Sequence, residues 1–372
     1  MGNRVKALTE SGVALWLDGV SRADLGGGLA TLVADRGVTG VAIEPVTLHE
    51  ALANAAYDDQ LRSLAAVGAT VEGAVTALLA DDAASAAEVL RPVYDRTGGQ
   101  DGYVTVTLPP WATGSTSDTV AASRAFAESV GRPNLLMGVP ATSDGLAAVT
   151  ELVAAGTGVN VTPAFSPAQY RAAVDAYLTG LEKAAADGRA AAAGPAAVSV
   201  VVNQVDTDVD KLLWRVGTDQ SASLRGTAAV ANARLVHAVH AEGHASERWA
   251  GLAAQGLRPP RLAWTSMAVR DPYYADTHYV DALAAGGVTA TLSEATLAAI
   301  GDVDSASGSE LAPVDSAAEW PAAAEATVAA LAAVGVSLAD VTGTLERTGL
   351  PRQAHAWRSL RGVVEDRLAA DH

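Results

Sequence analysis

Cysteine is absent from all 372 residues. Its absence excludes disulfides, zinc–thiolate sites, iron–sulfur clusters and a cysteine nucleophile. Lysine is nearly absent, with Lys6, Lys183 and Lys211 as the whole set. Basic residues are outnumbered by acidic ones, and the formal net charge is -17. Nucleic-acid partners are therefore not expected, because phosphate neutralisation needs clustered Lys and Arg. No apolar run approaches the roughly 20 residues needed to span a bilayer. The opening MGNRVKALTESG lacks the apolar core of a signal peptide. The expectation is a cytoplasmic protein with no membrane partner.

Hydrophobic residues make up 49% and charged residues 18%, an ordinary globular composition. The length permits two domains, but α/β barrels of this size form one. Eight short β-rich runs alternate with longer helical stretches: Ala14–Gly19, Val41–Pro45, Tyr103–Leu108, Leu135–Pro140, Val159–Phe165, Val198–Val205, Arg261–Met267 and Val288–Leu292. Alternation implies parallel strands with crossover helices, and eight units suggest a closed (β/α)8 TIM barrel. An open doubly wound sheet is the alternative. The reading is one domain over 1–372, with the barrel at about 12–300 and a helical C-terminal cover at about 317–372. Thr142 and Ser166 are expected to cap helices, and the Gly/Ser/Asp-rich 301–316 to form a surface loop.

Active residues of such barrels sit at the C-terminal strand ends. That rule selects Asp18, Glu44, Thr107, Gly138, Thr162, Asn203, Gln204, Ser266, Arg270 and Glu294. Asp18 and Glu44 end adjacent strands about 5 Å apart. Two close carboxylates can differ in proton affinity and so supply one acid and one base. Asp206-x-Asp208-x-Asp210 lacks the Gly and Glu of a calcium loop and reads as a helix cap. His237, His240 and His244 share a helical face and read as surface rather than metal ligands. His278 is a weak candidate for proton transfer. No cofactor is expected.

Several segments together resemble the transaldolase family, in its longer bacterial form. They include LWLDGVSR (15–22), VLRPVYDRTGGQDGYVTV (89–106), RPNLLMGVPAT (132–142), GVNVTPAFSPAQYRAAVDAYLTGLEKAAADG (158–188), RGTAAVANARL (225–235) and DPYYADTHYVDAL (271–283). The resemblance covers nearly the whole chain and implies a transaldolase-like barrel. It also implies transfer of a three-carbon unit between sugar phosphates through a lysine Schiff base on the fourth strand. At the matched position this chain has Gly138. Thr107 stands where the family carries a glutamate, Glu44 an asparagine, Gln204 an arginine and Val201 a phenylalanine. Asp18, Thr162, Ser199 and, as a basic residue, Arg270 keep the family's types.

Met137, Gly138, Val201, Pro163, Ala164, Trp111 and Trp264 make the expected pocket more apolar and less cationic. The resulting expectation is an enzyme that has left Schiff-base chemistry. Glu44 and Asp18 would be its acid and base, in cyclisation, condensation, dehydration or isomerisation of a larger apolar substrate in specialised biosynthesis. Thr107, Trp111, Met137, Gly138, Thr162, Ser199, Val201, Asn203, Gln204, Trp264, Ser266 and Arg270 would bind that substrate. The alternatives are a ligand- or partner-binding pseudoenzyme and a genuine transaldolase. The partner is a small molecule, and a homodimer is a possible assembly.

Overall fold

A computed structural model describes residues 3–302 and 314–370. Most of the loop expected at 301–316 lies outside the described residues. Eight parallel strands close a barrel in chain order: β1 (Ala14–Asp18), β2 (Val38–Ile43), β3 (Tyr103–Thr107), β4 (Leu135–Val139), β5 (Val159–Ala164), β6 (Ala196–Val201), β7 (Arg261–Thr265) and β8 (Val288–Leu292). All eight expected runs are strands, so the closed barrel holds and the open sheet does not. The bounds need correction at two strands: the second begins three residues earlier than expected and ends at Ile43, since Pro45 opens helix Pro45–Ala51, and the sixth begins at Ala196. The sixth run continues to Val205 in sequence, but β6 stops at Val201 and helix Asn203–Val216 begins. A run of valines favours a strand locally, and the crossover helix overrides it.

Register decides which side chains face inward. Trp16 pairs with Gly40, Gly40 with Tyr103, and Thr105 with Leu136. Trp16, Tyr103, Leu136 and Ala197 form their own small buried cluster inside the barrel floor. Trp16 fills that floor because Gly40 leaves room for it. A Cβ at Gly40 would stand 2.4 Å from the indole nitrogen. The indole Nε1 donates to Asp101 Oδ1 at 3.0 Å, and the Arg261 guanidinium lies over the ring. With Trp16 inward, every second residue from it also faces inward. That places Asp18, Ala42, Glu44, Thr107, Gly138, Asn160, Thr162, Ser199 and Val201 on the barrel axis side. Met137, Val139, Val200 and Trp264 face the helices instead.

The middle layer is polar and closed on itself. Asn160 Nδ2 donates to Thr105 Oγ1 at 3.1 Å, and Ser199 Oγ donates to Asn160 Oδ1 at 2.9 Å. All three residues are buried. Asn160→Ala should destabilise the fold by roughly 2 kcal/mol or more, since it strips two buried hydroxyls of a partner at once. A lower urea midpoint at unchanged slope would show this; an unmoved midpoint would count against it.

Thr142 and Ser166 cap helices Ser143–Ala154 and Pro167–Ala186, accepting from the backbone N–H groups of Gly145 and Gln169. At the C-terminal end, helix Trp320–Ala333 packs on helix Ala228–His244. The long helix Leu338–Ala370 crosses helices Pro45–Ala51, Val71–Arg96 and Asn203–Val216. Arg367 donates to the Leu52 carbonyl at 2.6 Å, and Glu346 accepts from Ser166 Oγ. These ties bring the end of the chain over the C-terminal mouth of the barrel. Among the described residues no single helix is long and apolar enough to cross a membrane.

Candidate active site

The C-terminal mouth is built from strand ends and one segment of the long C-terminal helix. Asp18 closes β1 beside Ala42. Glu44 follows β2 as the residue before Pro45, whose fixed φ opens helix Pro45–Ala51. Glu44 keeps an extended backbone, so the strand's alternation carries its side chain inward with Ala42. Ile43 stands beside Val106, so Glu44 falls beside Thr107, whose own partner is Gly138.

Among the described residues, neither carboxylate has a hydrogen bond or an ion pair. Arg22, a neighbour in sequence, is committed to Asp82 at 2.8 Å and lies over the Tyr57 ring. Both residues keep a partial opening to solvent while protein surrounds their carboxyl groups. Burial and the adjacent Asp18 charge push Glu44 up from the usual 4.5 to about 8. Burial also raises Asp18 above the ordinary carboxylate range. Unpaired, desolvated carboxylates are costly, and such groups concentrate where chemistry is done. Burial raises both carboxyl groups and the charge of either disfavours ionisation of the other, so the pair can offer one proton donor and one acceptor.

A cavity of about 300 Å³ opens above β3, β4 and β5 under the C-terminal helix. Thr107, Gly138, Thr142, Asp144 and Thr162 line it from the barrel, and Gln353 and Trp357 from the helix. Trp111 stands at its rim, half-exposed, with its ring edge-on to the buried Trp357 at 5.7 Å. The cavity walls therefore carry hydroxyls, a carboxylate and an amide beside the apolar Leu108, Pro110, Pro140 and Leu350.

This corrects the apolar pocket expected from the sequence. Met137 is fully buried against the helical shell. Trp264 is too, and its Nε1 donates to the Leu283 carbonyl at 3.3 Å. Ala164 is core, and Pro163 lies at the irregularity where the β5–β6 register shifts. Of the apolar strand residues expected in the pocket, only Gly138 and Val201 face inward. Ser199 is inward but lies one layer down, bonded to Asn160. Asn203 begins a helix and spends its amide on the Ala268 carbonyl at 2.8 Å; its backbone N–H donates to the Ser266 carbonyl. It ties two loops together, which a strand-end rule cannot anticipate. Gln204 follows it in the same first turn. Ser266 adopts a left-handed backbone (φ 55°), uncommon for a residue with a side chain. Arg270 and Glu294 are exposed.

The remaining motifs are structural. Asp206 accepts from the Ala229 N–H at 2.7 Å and the Tyr279 hydroxyl at 3.0 Å. Asp210 accepts from the Gly226 N–H and the Tyr274 hydroxyl. Asp206 and Asp210 thus hold the start of helix Ala228–His244 rather than capping their own helix. His278 Nε2 bonds the Gly226 carbonyl at 2.8 Å, which removes it from proton transfer at the mouth. His240 Nδ1 pairs with the Tyr170 hydroxyl, and His244 Nδ1 with the His240 carbonyl. Sequence reasoning missed Asn160, Thr142, Asp144, Gln353 and Trp357. Asn160 was accessible, being two residues before Thr162 on one strand face. Gln353 and Trp357 carry no local signal, because only the fold returns them to the mouth.

Residues 15–364 match the family model described as Transaldolase/Fructose-6-phosphate aldolase. A transaldolase of Thermobifida fusca is 44% identical over 372 residues, covering 100% of both chains. One from Saccharopolyspora erythraea is 41% identical over 98% of each chain. Transaldolase 2 of Streptomyces coelicolor is 39% identical over 99% of this chain and 98% of its own. Relatives this similar, end to end and named for one activity, overturn the expectation that aldol chemistry has been lost and replaced by cyclisation or condensation of apolar substrates in specialised biosynthesis. They equally overturn the pseudoenzyme. The inference failed because apolar residues assigned to the pocket belong to the helix-facing layer. This chain belongs to the Transaldolase/Fructose-6-phosphate aldolase family of enzymes.

Proposed function

We propose that this enzyme transfers a three-carbon ketol unit between sugar phosphates at the C-terminal mouth, with Glu44 and Asp18 moving the protons. One observation carries the assignment of the catalytic groups: two adjacent, desolvated carboxylates that no side chain among the described residues neutralises. The substrate class follows from the activity for which the full-length relatives are named. The hydroxyls of Thr107, Thr142 and Thr162 give a polyol hydrogen-bonding partners along one wall of the cavity.

The chain's lysines stand apart from this chemistry. Lys183 pairs with Glu151 at 2.6 Å, Lys211 with Asp208 at 3.0 Å and Lys6 with Glu10 at 3.6 Å, all on outer helices. With Gly138 at the position matched to the family's amine, carbonyl activation falls to an acid. Asp18 takes the proton of the hydroxyl β to the ketone. The bond between the α and β carbons breaks, releasing an aldehyde. The electron pair of that bond forms the enediol double bond, and the ketone oxygen takes the Glu44 proton. The reverse sequence on a second aldehyde returns both protons and completes the transfer.

The test supplies fructose 6-phosphate and an aldose phosphate acceptor, and follows the new ketose by mass spectrometry. The expected result is a transferred three-carbon unit, with no mass added to the protein when borohydride is present. A protein that yields no transfer product, or one that borohydride converts to a lysine adduct, would overturn the reading.

A further inference from the structure

A second, roomier cavity lies at the opposite end of the barrel. It has a volume of about 840 Å³ and opens where β1, β2, β6 and β7 begin. The Trp16–Tyr103–Leu136 floor and the Asn160–Thr105–Ser199 layer separate it from the mouth. Barrel bottoms ordinarily serve stability, so an open cavity of ligand size there calls for a reason.

Its charge runs against that of the chain. Two guanidinium groups line it, Arg258 and Arg261. Neutral carbonyls of one loop hold both. Arg258 donates to Gly98 O at 2.6 Å, and Arg261 to Gln100 O. The one carboxylate in the lining, Asp101, is already engaged. It accepts from Trp16 Nε1 and from the Gly102 N–H, each at 3.0 Å, and from Arg261 at 3.4 Å. Among the described residues Arg258 has no carboxylate partner. On a protein of net charge -17, a positioned arginine left unneutralised in a cavity is a place for an anion. Pro195, Pro259, Pro260 and Leu136 supply flat apolar contact beside it. Histidine does not add charge through His240, whose burial and histidine neighbours lower it to about 3.

We propose that this cavity is a second binding site, distinct from the catalytic mouth, for an organic anion with a flat apolar body. Arg258 takes the anionic group, and the proline–leucine wall takes the body. The probe is 8-anilinonaphthalene-1-sulfonate, titrated by fluorescence against the full chain. Saturable binding should weaken about tenfold or more in Arg258→Ala, the loss of one charge-assisted contact. Arg258→Lys should keep most of the affinity, and Glu44→Gln all of it. Inorganic pyrophosphate should compete with the probe. Hydrogen exchange on the wild type, which needs no variant to fold, should show probe-dependent protection at 97–103. Wild-type affinity in Arg258→Ala, equal loss in Glu44→Gln, or protection confined to the mouth would overturn the proposal.

Discussion

Glu44→Gln should lose about a hundredfold or more in turnover, as removal of a general acid does, and yet be the more stable protein at alkaline pH. The two effects have one origin. Burial and Asp18 hold the Glu44 carboxyl near 8 in the fold, against an ordinary value of 4.5. Between those values the folded protein binds a proton that the unfolded chain does not, so stability must fall as pH rises. The contribution is intact below about pH 4.5 and gone above about pH 8. Allowing for the partial opening to solvent, its size is on the order of 3 kcal/mol. Glutamine stays neutral throughout and escapes the loss. Wild type and variant should therefore unfold alike near pH 5 and diverge by pH 9, with the variant ahead. Urea midpoints across that range measure the divergence. The same group sets the activity profile: turnover of the wild type should drop through an alkaline limb near pH 8, as Glu44 gives up its proton. Parallel stability curves for the two proteins would remove the basis for treating Glu44 as the proton donor.

Sequence showed the barrel clearly and its inner surface poorly. Alternating strands and helices, the caps at Thr142 and Ser166 and the runs shared with a family all fix the fold. Side-chain direction is another matter. A strand buried on both faces is apolar throughout, so its period of two is hidden. LLMGV gives no sign that Gly138 faces the axis and Met137 the helices. The register through Trp16 and Gly40 decides it. Where polar residues break the run, as in VNVT of β5, the inward face could be read, and Asn160 with Thr162 belongs to it. The carboxylate pair was legible because both residues end strands that are consecutive in sequence and adjacent in space. Reading a new substrate from a handful of apolar residues failed at the step where direction was assumed.

Gly138→Ala should cost roughly 1–3 kcal/mol, the range for forcing atoms into a packed site, and Gly138→Lys more. The position is not a gap awaiting a side chain. A Cβ there would stand 2.8 Å from Thr107 Cα, 3.0 Å from Thr107 Oγ1 and 3.1 Å from the Val106 carbonyl oxygen. Two of these three atoms are backbone, so no rotamer change relieves the contact; β3 itself must move. Thr107 sits between Gly138 and Glu44 in the ladder, so the movement is passed to the catalytic carboxylate. An amine brought in at 138 therefore reaches a mouth already displaced, and Gly138→Lys should have lower transfer activity than the wild type. Trimming the hydroxyl separates the backbone clash from the side-chain one. Thr107→Ala combined with Gly138→Ala should recover little of the loss, because Thr107 Cα remains where it was. Urea midpoints of the two single variants and the double variant give the coupling. A Gly138→Ala protein as stable as the wild type, or full recovery in the double variant, would show that β3 yields easily and that the strand ends are not fitted around glycine.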